Sequence, residues 1–207
     1  RTNRQFGIPL PDEEIVHQGI GGFMEINSES TFGLVRPTKL FKDELIFVVD
    51  GLTFILAHVP GETDDHLYVW LPEKNAVMVG DNFYRSFANL YAIRGTKFRN
   101  PMEWVQSLDK IRMLNAEYLI PSHSRPISGT ENVSKALTDY RDGIQFVHDQ
   151  TIRYINKGLT PDEIVEKVKL PKHLANSPYL QEFYGSISSY IRSTFSGYIG
   201  WFSGNIS

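Results

Sequence analysis

The sequence predicts an α/β fold: a sheet layer covered by helices, followed by a helical region. Three observations carry that expectation. Over the first 128 residues, short apolar runs of strand length alternate with turn residues. A capped amphipathic helix near residue 100 separates the early strands from a later one, the order of a sheet faced by helices. Beyond Gly129 the apolar spacing changes to an alternation of four and three, which is the period of a helix.

The runs 45–49 and 52–58 flank Asp50-Gly51, a pair that suits the positive φ angles of a tight hairpin. Runs 67–71 and 76–79 read as the next two strands, joined through Pro72-Glu73-Lys74-Asn75. Asn100 is placed to cap a helix with Pro101 at its first position and Glu103 reaching back to the free amides. That helix would turn Trp104, Val105, Leu108 and Ile111 inward, and 117–120 reads as the strand after it. Val133, Leu137, Tyr140, Ile144 and Val147 then form one helical stripe that runs to Asn156, with Gly158 as a left-handed cap. Thr160, Pro161 and Glu163 form a capping box, and Leu159 can staple onto Ile164. A third apolar helix is expected over 179–195, ahead of an aromatic tail.

At 207 residues the chain is long enough to bury a core in one or two domains. A net charge of −3 gives no basic stripe for nucleic acid. No apolar run reaches the roughly 20 residues needed to span a bilayer. With no cysteine, any metal must be held by His, Asp and Glu, and the compartment stays open. The opening Arg1-Thr2-Asn3-Arg4-Gln5 has neither initiator Met nor a signal-peptide pattern, so the chain is expected to begin partway through a longer protein.

Three side chains stand where a strand gives way to a loop, the positions from which a scaffold aims ligands. Glu62 lies in the Pro60-Gly61-Glu62-Thr63 turn. Asp81 follows Gly80 at the end of an apolar run, and His123 sits between serines after Ile120-Pro121. Carboxylates and neutral imidazole both donate lone pairs to divalent cations. Each residue taken alone also fits a solvated turn, and spacing does not decide between the two.

The stretch from Pro60-Gly61-Glu62-Thr63 through Val79-Gly80-Asp81 resembles the second half of the metallo-β-lactamase fold superfamily. In that family a Pro-Gly-His-Thr turn, a Gly-Asp strand end and a late histidine supply metal ligands. Glutamate in place of the turn histidine resembles the alkyl sulfatase branch. The likeness continues through Asn89-Leu90-Tyr91-Ala92-Ile93-Arg94-Gly95, Pro121-Ser122-His123-Ser124-Arg125-Pro126, the 140–150 segment and Gly200-Trp201-Phe202-Ser203-Gly204. It covers essentially the whole chain. The resemblance implies the C-terminal part of an αββα sandwich over 1–128, then an α-helical dimerisation region over 129–207. It implies a two-zinc site in which Glu62 binds one ion, Asp81 bridges both and His123 binds the other. It also implies that Arg94, with Asn89 beside it, grips the sulfate ester, a role suited to a guanidinium fork. The implied reaction is hydrolysis of alkyl sulfate esters to alcohol and sulfate by a homodimer.

Three departures from the family pattern bear on this. Gly80-Asp81-Asn82 often reads Ala-Glu-Asn, so the bridging arm here is shorter. Ala88 stands where many members carry a histidine. The upstream His-x-His-x-Asp-His motif is absent, since the histidines at 17, 58, 66, 123, 148 and 173 include no pair two apart. The chain is therefore expected to hold half of a metal site and to be inactive by itself. His66 follows the Glu62 turn and is expected to support the site rather than bind metal; His58 and His148 are expected to be packed or hydrogen-bonded. Alternatives are another hydrolase of the superfamily, acting on a thioester, lactam or phosphoester, or a non-catalytic assembly fragment.

Overall fold

Asp50 and Gly51 take φ of 48° and 78°, and the chain reverses there as the sequence predicts. Strands β1 (Glu44–Val49) and β2 (Leu52–His58) pair antiparallel, with Val49 opposite Leu52. Phe47 and Phe54 face each other across the pair and stack with centroids 5.3 Å apart. This computed structural model describes residues 33–91 and 97–200, together with Pro11, Glu13 and Thr31. The chain divides into two compact units, Arg1–Leu40 and Phe41–Ser207, and every described helix and strand belongs to the second.

Strands β3 (Leu67–Leu71) and β4 (Ala76–Gly80) continue the antiparallel order, joined by a 3-10 turn at Pro72–Lys74. Helix α1 (Pro101–Arg112) then crosses over, so that β5 (Tyr118–Pro121) lies parallel to β4. A short β6 (Ile127–Ser128), not expected from the sequence, closes a six-stranded sheet in chain order. Asn100 caps α1 by accepting from Met102 N at 3.0 Å. Glu103 differs from expectation: it accepts from the Asn100 side chain at 3.2 Å instead of reaching the backbone amides.

One face of the sheet meets the helices. Val77, Val79, Leu119 and Tyr68 share a core with Trp104, Leu108 and Ile111 of α1. The same core takes in Val133, Leu137, Tyr140, Ile144 and Val147 of α2 (Thr130–Ile155), the stripe read from the sequence. On the other face Leu45, Leu56, Val69 and Met78 stand in one row by register, with Ile120 next to Met78. That row is partly exposed to solvent.

Gly158 takes φ of 79° two residues after the α2 C-cap, as expected. Helix α3 (Pro161–Lys167) carries the full capping box of Thr160 and Glu163. Thr160→Ala removes one half of it and is expected to cost about 1 kcal/mol, read as a lower thermal midpoint with no change in the folded circular dichroism spectrum.

The last helix starts later than predicted. A short α4 (Lys172–Ala175) and a run of turns precede α5 (Ile187–Ile199), which Ser186 caps from Ser189 N. Residues 179–186 spend their backbone groups elsewhere: Gln181 O accepts from Phe87 N at 2.8 Å, and Tyr184 N donates to Ser86 Oγ at 3.0 Å. The aromatic tail at 201–207 lies outside the described residues. No helix among the described residues is long and apolar enough to cross a membrane.

Candidate metal centre

Strands β4 and β5 run parallel, so their C-terminal ends open onto the same edge, the usual place for ligands in such sheets. Gly80 pairs with Pro121 there, and Ser122 N donates to Gly80 O at 3.1 Å. Asp81 leaves one strand end and His123 the other. Gly80 has φ of 56°, and a Cβ on it would lie 2.5 Å from His66 Nε2, so the corner requires glycine. His66 itself contacts Val79 O at 3.0 Å through Nε2, which ties that ring to the backbone beneath the corner. His58 Nε2 contacts Asp64 O at 2.7 Å; His148 bonds Asp149 and Tyr198 through its two ring nitrogens.

His123 Nε2 lies 3.6 Å from Asp81 Oδ1, which is too long for a hydrogen bond. Asp81 Oδ1 is shielded from solvent and has no hydrogen-bond partner, although the side chain as a whole is 30% exposed. A desolvated carboxylate oxygen without a donor is costly. Two ligands each about 2.1 Å from one tetrahedral cation stand roughly 3.4 Å apart. The pair therefore fits a shared divalent cation by spacing and by chemistry.

Glu62 is not gathered with them. Among the described residues, no three His, Cys, Asp or Glu side chains come together closely enough to hold a metal ion. The Glu62 carboxylate meets the guanidinium of Arg99 at 2.5 Å, with both side chains largely buried at 14% and 8% exposure. A carboxylate removed from water needs a nearby cation, and Arg99 supplies it. Arg99 also donates to the carbonyl of Asn89, so one guanidinium links the Glu62 turn to the loop bearing Asn89.

Asn89 is buried; its amide N–H donates to the Tyr84 hydroxyl at 2.5 Å and its Nδ2 to the Tyr184 hydroxyl at 3.2 Å. Burial, with the Glu62 charge adding to it, pushes the Tyr84 phenol far above its ordinary range, so it stays neutral. The buried Tyr140 phenol is raised for the same first reason. Arg94 lies outside the described residues.

A cavity of about 360 Å³ opens beside Glu62 and is lined also by Lys97, Phe98 and Arg99. A second, of about 420 Å³, shares Lys97, Phe98 and Arg99 with it and is lined by Leu90, Tyr91 and residues of α5 as well. Sequence reading missed Arg99, Asn82 and Tyr84. The available signal for Arg99 was weak: a basic residue just ahead of the α1 cap.

The family model for the metallo-beta-lactamase superfamily matches residues 14–123, more than half of the chain. One for alkyl sulfatase dimerisation matches residues 160–207. A linear primary-alkylsulfatase from Pseudomonas sp. is 43% identical over 99% of this chain and 39% of its own length. An alkyl/aryl-sulfatase of Saccharomyces cerevisiae is 28% identical over 99% of this chain and 32% of its own length. Among solved structures, the stereoselective inverting sec-alkylsulfatase Pisa1 from Pseudomonas sp. matches 83% of this chain and 28% of its own, at 30% identity and a TM-score of 0.78. A double mutant of PisA1 matches 98% of this chain and 33% of its own, at 28% identity and a TM-score of 0.86. The chain thus spans about a third to two fifths of the length of these curated relatives. It belongs to the metallo-beta-lactamase superfamily, and within it is similar to the alkyl sulfatases, whose dimerisation segment it matches near its C-terminal end.

Proposed function

We propose that the full-length protein hydrolyses alkyl sulfate esters to an alcohol and sulfate. The observation that carries this is the Asp81–His123 pair, with its shielded and partnerless carboxylate oxygen at the sheet edge. The alkylsulfatase relatives matched across nearly all of the chain support the substrate class.

In this reading Asp81, His123 and Glu62 hold part of a two-zinc centre, and the remaining ligands come from elsewhere in the full-length protein. Zinc there would supply Lewis acidity and lower the pKa of bound water. Asn89 is fixed by Tyr84 and Tyr184 beside the site, where its amide orients the sulfate. Arg94, by its place in the Asn89–Gly95 motif, neutralises charge on the sulfate as the ester bond breaks. Leu90, Tyr91 and Phe98 offer an apolar wall for the alkyl tail. Residues 1–128 form the metal-binding part and 129–207 the helical part through which two copies pair.

Full-length protein assayed on dodecyl sulfate and on a phosphodiester tests the substrate class. Sulfate release with little phosphodiester turnover is expected. Phosphodiester turnover equal to or above sulfate release would reassign the site to another hydrolase of the superfamily.

A further inference from the structure

The side chain of Asn82 is wholly buried and joins the two backbone segments that carry the carboxylates. Its Nδ2 donates to Val59 O at 2.7 Å, and its Oδ1 accepts from Glu62 N at 3.3 Å. Its own carbonyl accepts from the Trp104 indole at 2.9 Å. Asp81 is the preceding residue, so a single side chain spans from the Asp81 corner to the turn bearing Glu62. The approach leaves no room at Gly61, where a Cβ would fall 2.1 Å from Asn82 Oδ1. Ser107 Oγ holds the same turn from α1, donating to Pro60 O at 2.7 Å.

This fork needs one donor and one acceptor on a neutral group, which an amide provides. An aspartate here would turn an acceptor toward the Val59 carbonyl and add a third carboxylate beside Glu62 and Asp81. An alanine would remove both the acceptor that meets Glu62 N and the donor that meets Val59 O. Filling space does not call for an amide at this position; fixing a distance does.

We infer that Asn82 is a positioning residue for the metal centre: its amide sets the Glu62 turn against Asp81 and thereby sets the affinity for divalent cations. The inference rests on the ligand reading of Glu62, Asp81 and His123 given above.

The test uses full-length protein carrying Asn82→Asp or Asn82→Ala. Zinc affinity is measured by competition with a chromophoric chelator, the site environment by the absorption spectrum of the cobalt-substituted protein, and folding by the metal-free thermal midpoint. Zinc affinity is expected to fall about 10–100-fold, as for loss of a group that orients ligands, with a changed cobalt spectrum. Leu108→Val, a buried change on α1, serves as the stability control and should lower the midpoint without moving zinc affinity. Unchanged zinc affinity in the Asn82 variants, or an equal fall in Leu108→Val, overturns the inference. Should both Asn82 variants fail to fold, Ser107→Ala decides: zinc binding about threefold weaker is expected from one lost hydrogen bond, and unchanged binding overturns it. Asp81→Ala separates the two levels. If it keeps wild-type zinc, the ligand reading itself fails; if it loses zinc while the Asn82 variants keep theirs, only the role of Asn82 fails.

Discussion

Asp81→Ala in the full-length protein is expected to abolish stoichiometric metal binding while leaving the fold intact. The reason lies in what Asp81 does not do. Its Oδ1 accepts no hydrogen bond and is shut away from water, so removing it relieves an unmet acceptor. Metal-free stability should therefore hold or rise by up to about 1 kcal/mol. Turnover of sulfate ester should fall further than the roughly 10–100-fold typical of losing a group behind a metal ligand. Metal analysis alongside a denaturation curve checks both halves. A variant that keeps its metal, or one that unfolds, would make Asp81 a structural residue.

Arg99→Ala is expected to give the largest stability change. The guanidinium meets Glu62 at 2.5 Å with both side chains shielded, and it also bonds the Asn89 carbonyl. Losing a charge-assisted hydrogen bond to a shielded partner costs about 1.5–3 kcal/mol. For a chain of this size that is a fall of roughly 2–4 °C in thermal midpoint per kcal/mol. Arg99→Lys keeps the charge without the two-armed fork and should fall between the variant and the wild type. A loss below about 1 kcal/mol in metal-free protein would mean that water screens the pair after all.

These two residues also mark how far the sequence could be read. Local chemistry was legible. Asp50-Gly51 dictates its hairpin, Asn100-Pro101 and Thr160-Pro161 open their helices, and the stripe from Val133 to Val147 is buried as its spacing requires. The meeting of Asp81 with His123 follows from strand ends carrying them to one edge. What stayed hidden depends on partners far apart in the chain. Asn82 bonds a carbonyl 23 residues away, and Asn89 bonds a tyrosine 95 residues away. No periodicity encodes such a pairing. The late start of α5 has the same origin: the apolar residues from 179 on suit a helix, yet the backbone at Gln181 and Tyr184 is engaged with the 86–87 segment.

That engagement has a consequence for modularity. The 86–90 loop bonds Gln181 and Tyr184, and Ser193 Oγ donates to Leu90 O at 3.2 Å. Gly185 is pressed against the carbonyls of Phe87 and Ala88 so closely that a methyl group would collide. The helical region is thus a buttress for the loop that presents Asn89, not a detachable appendage. Trading it for the corresponding region of a distant relative would disturb the loop at 86–90 even if every residue there were retained.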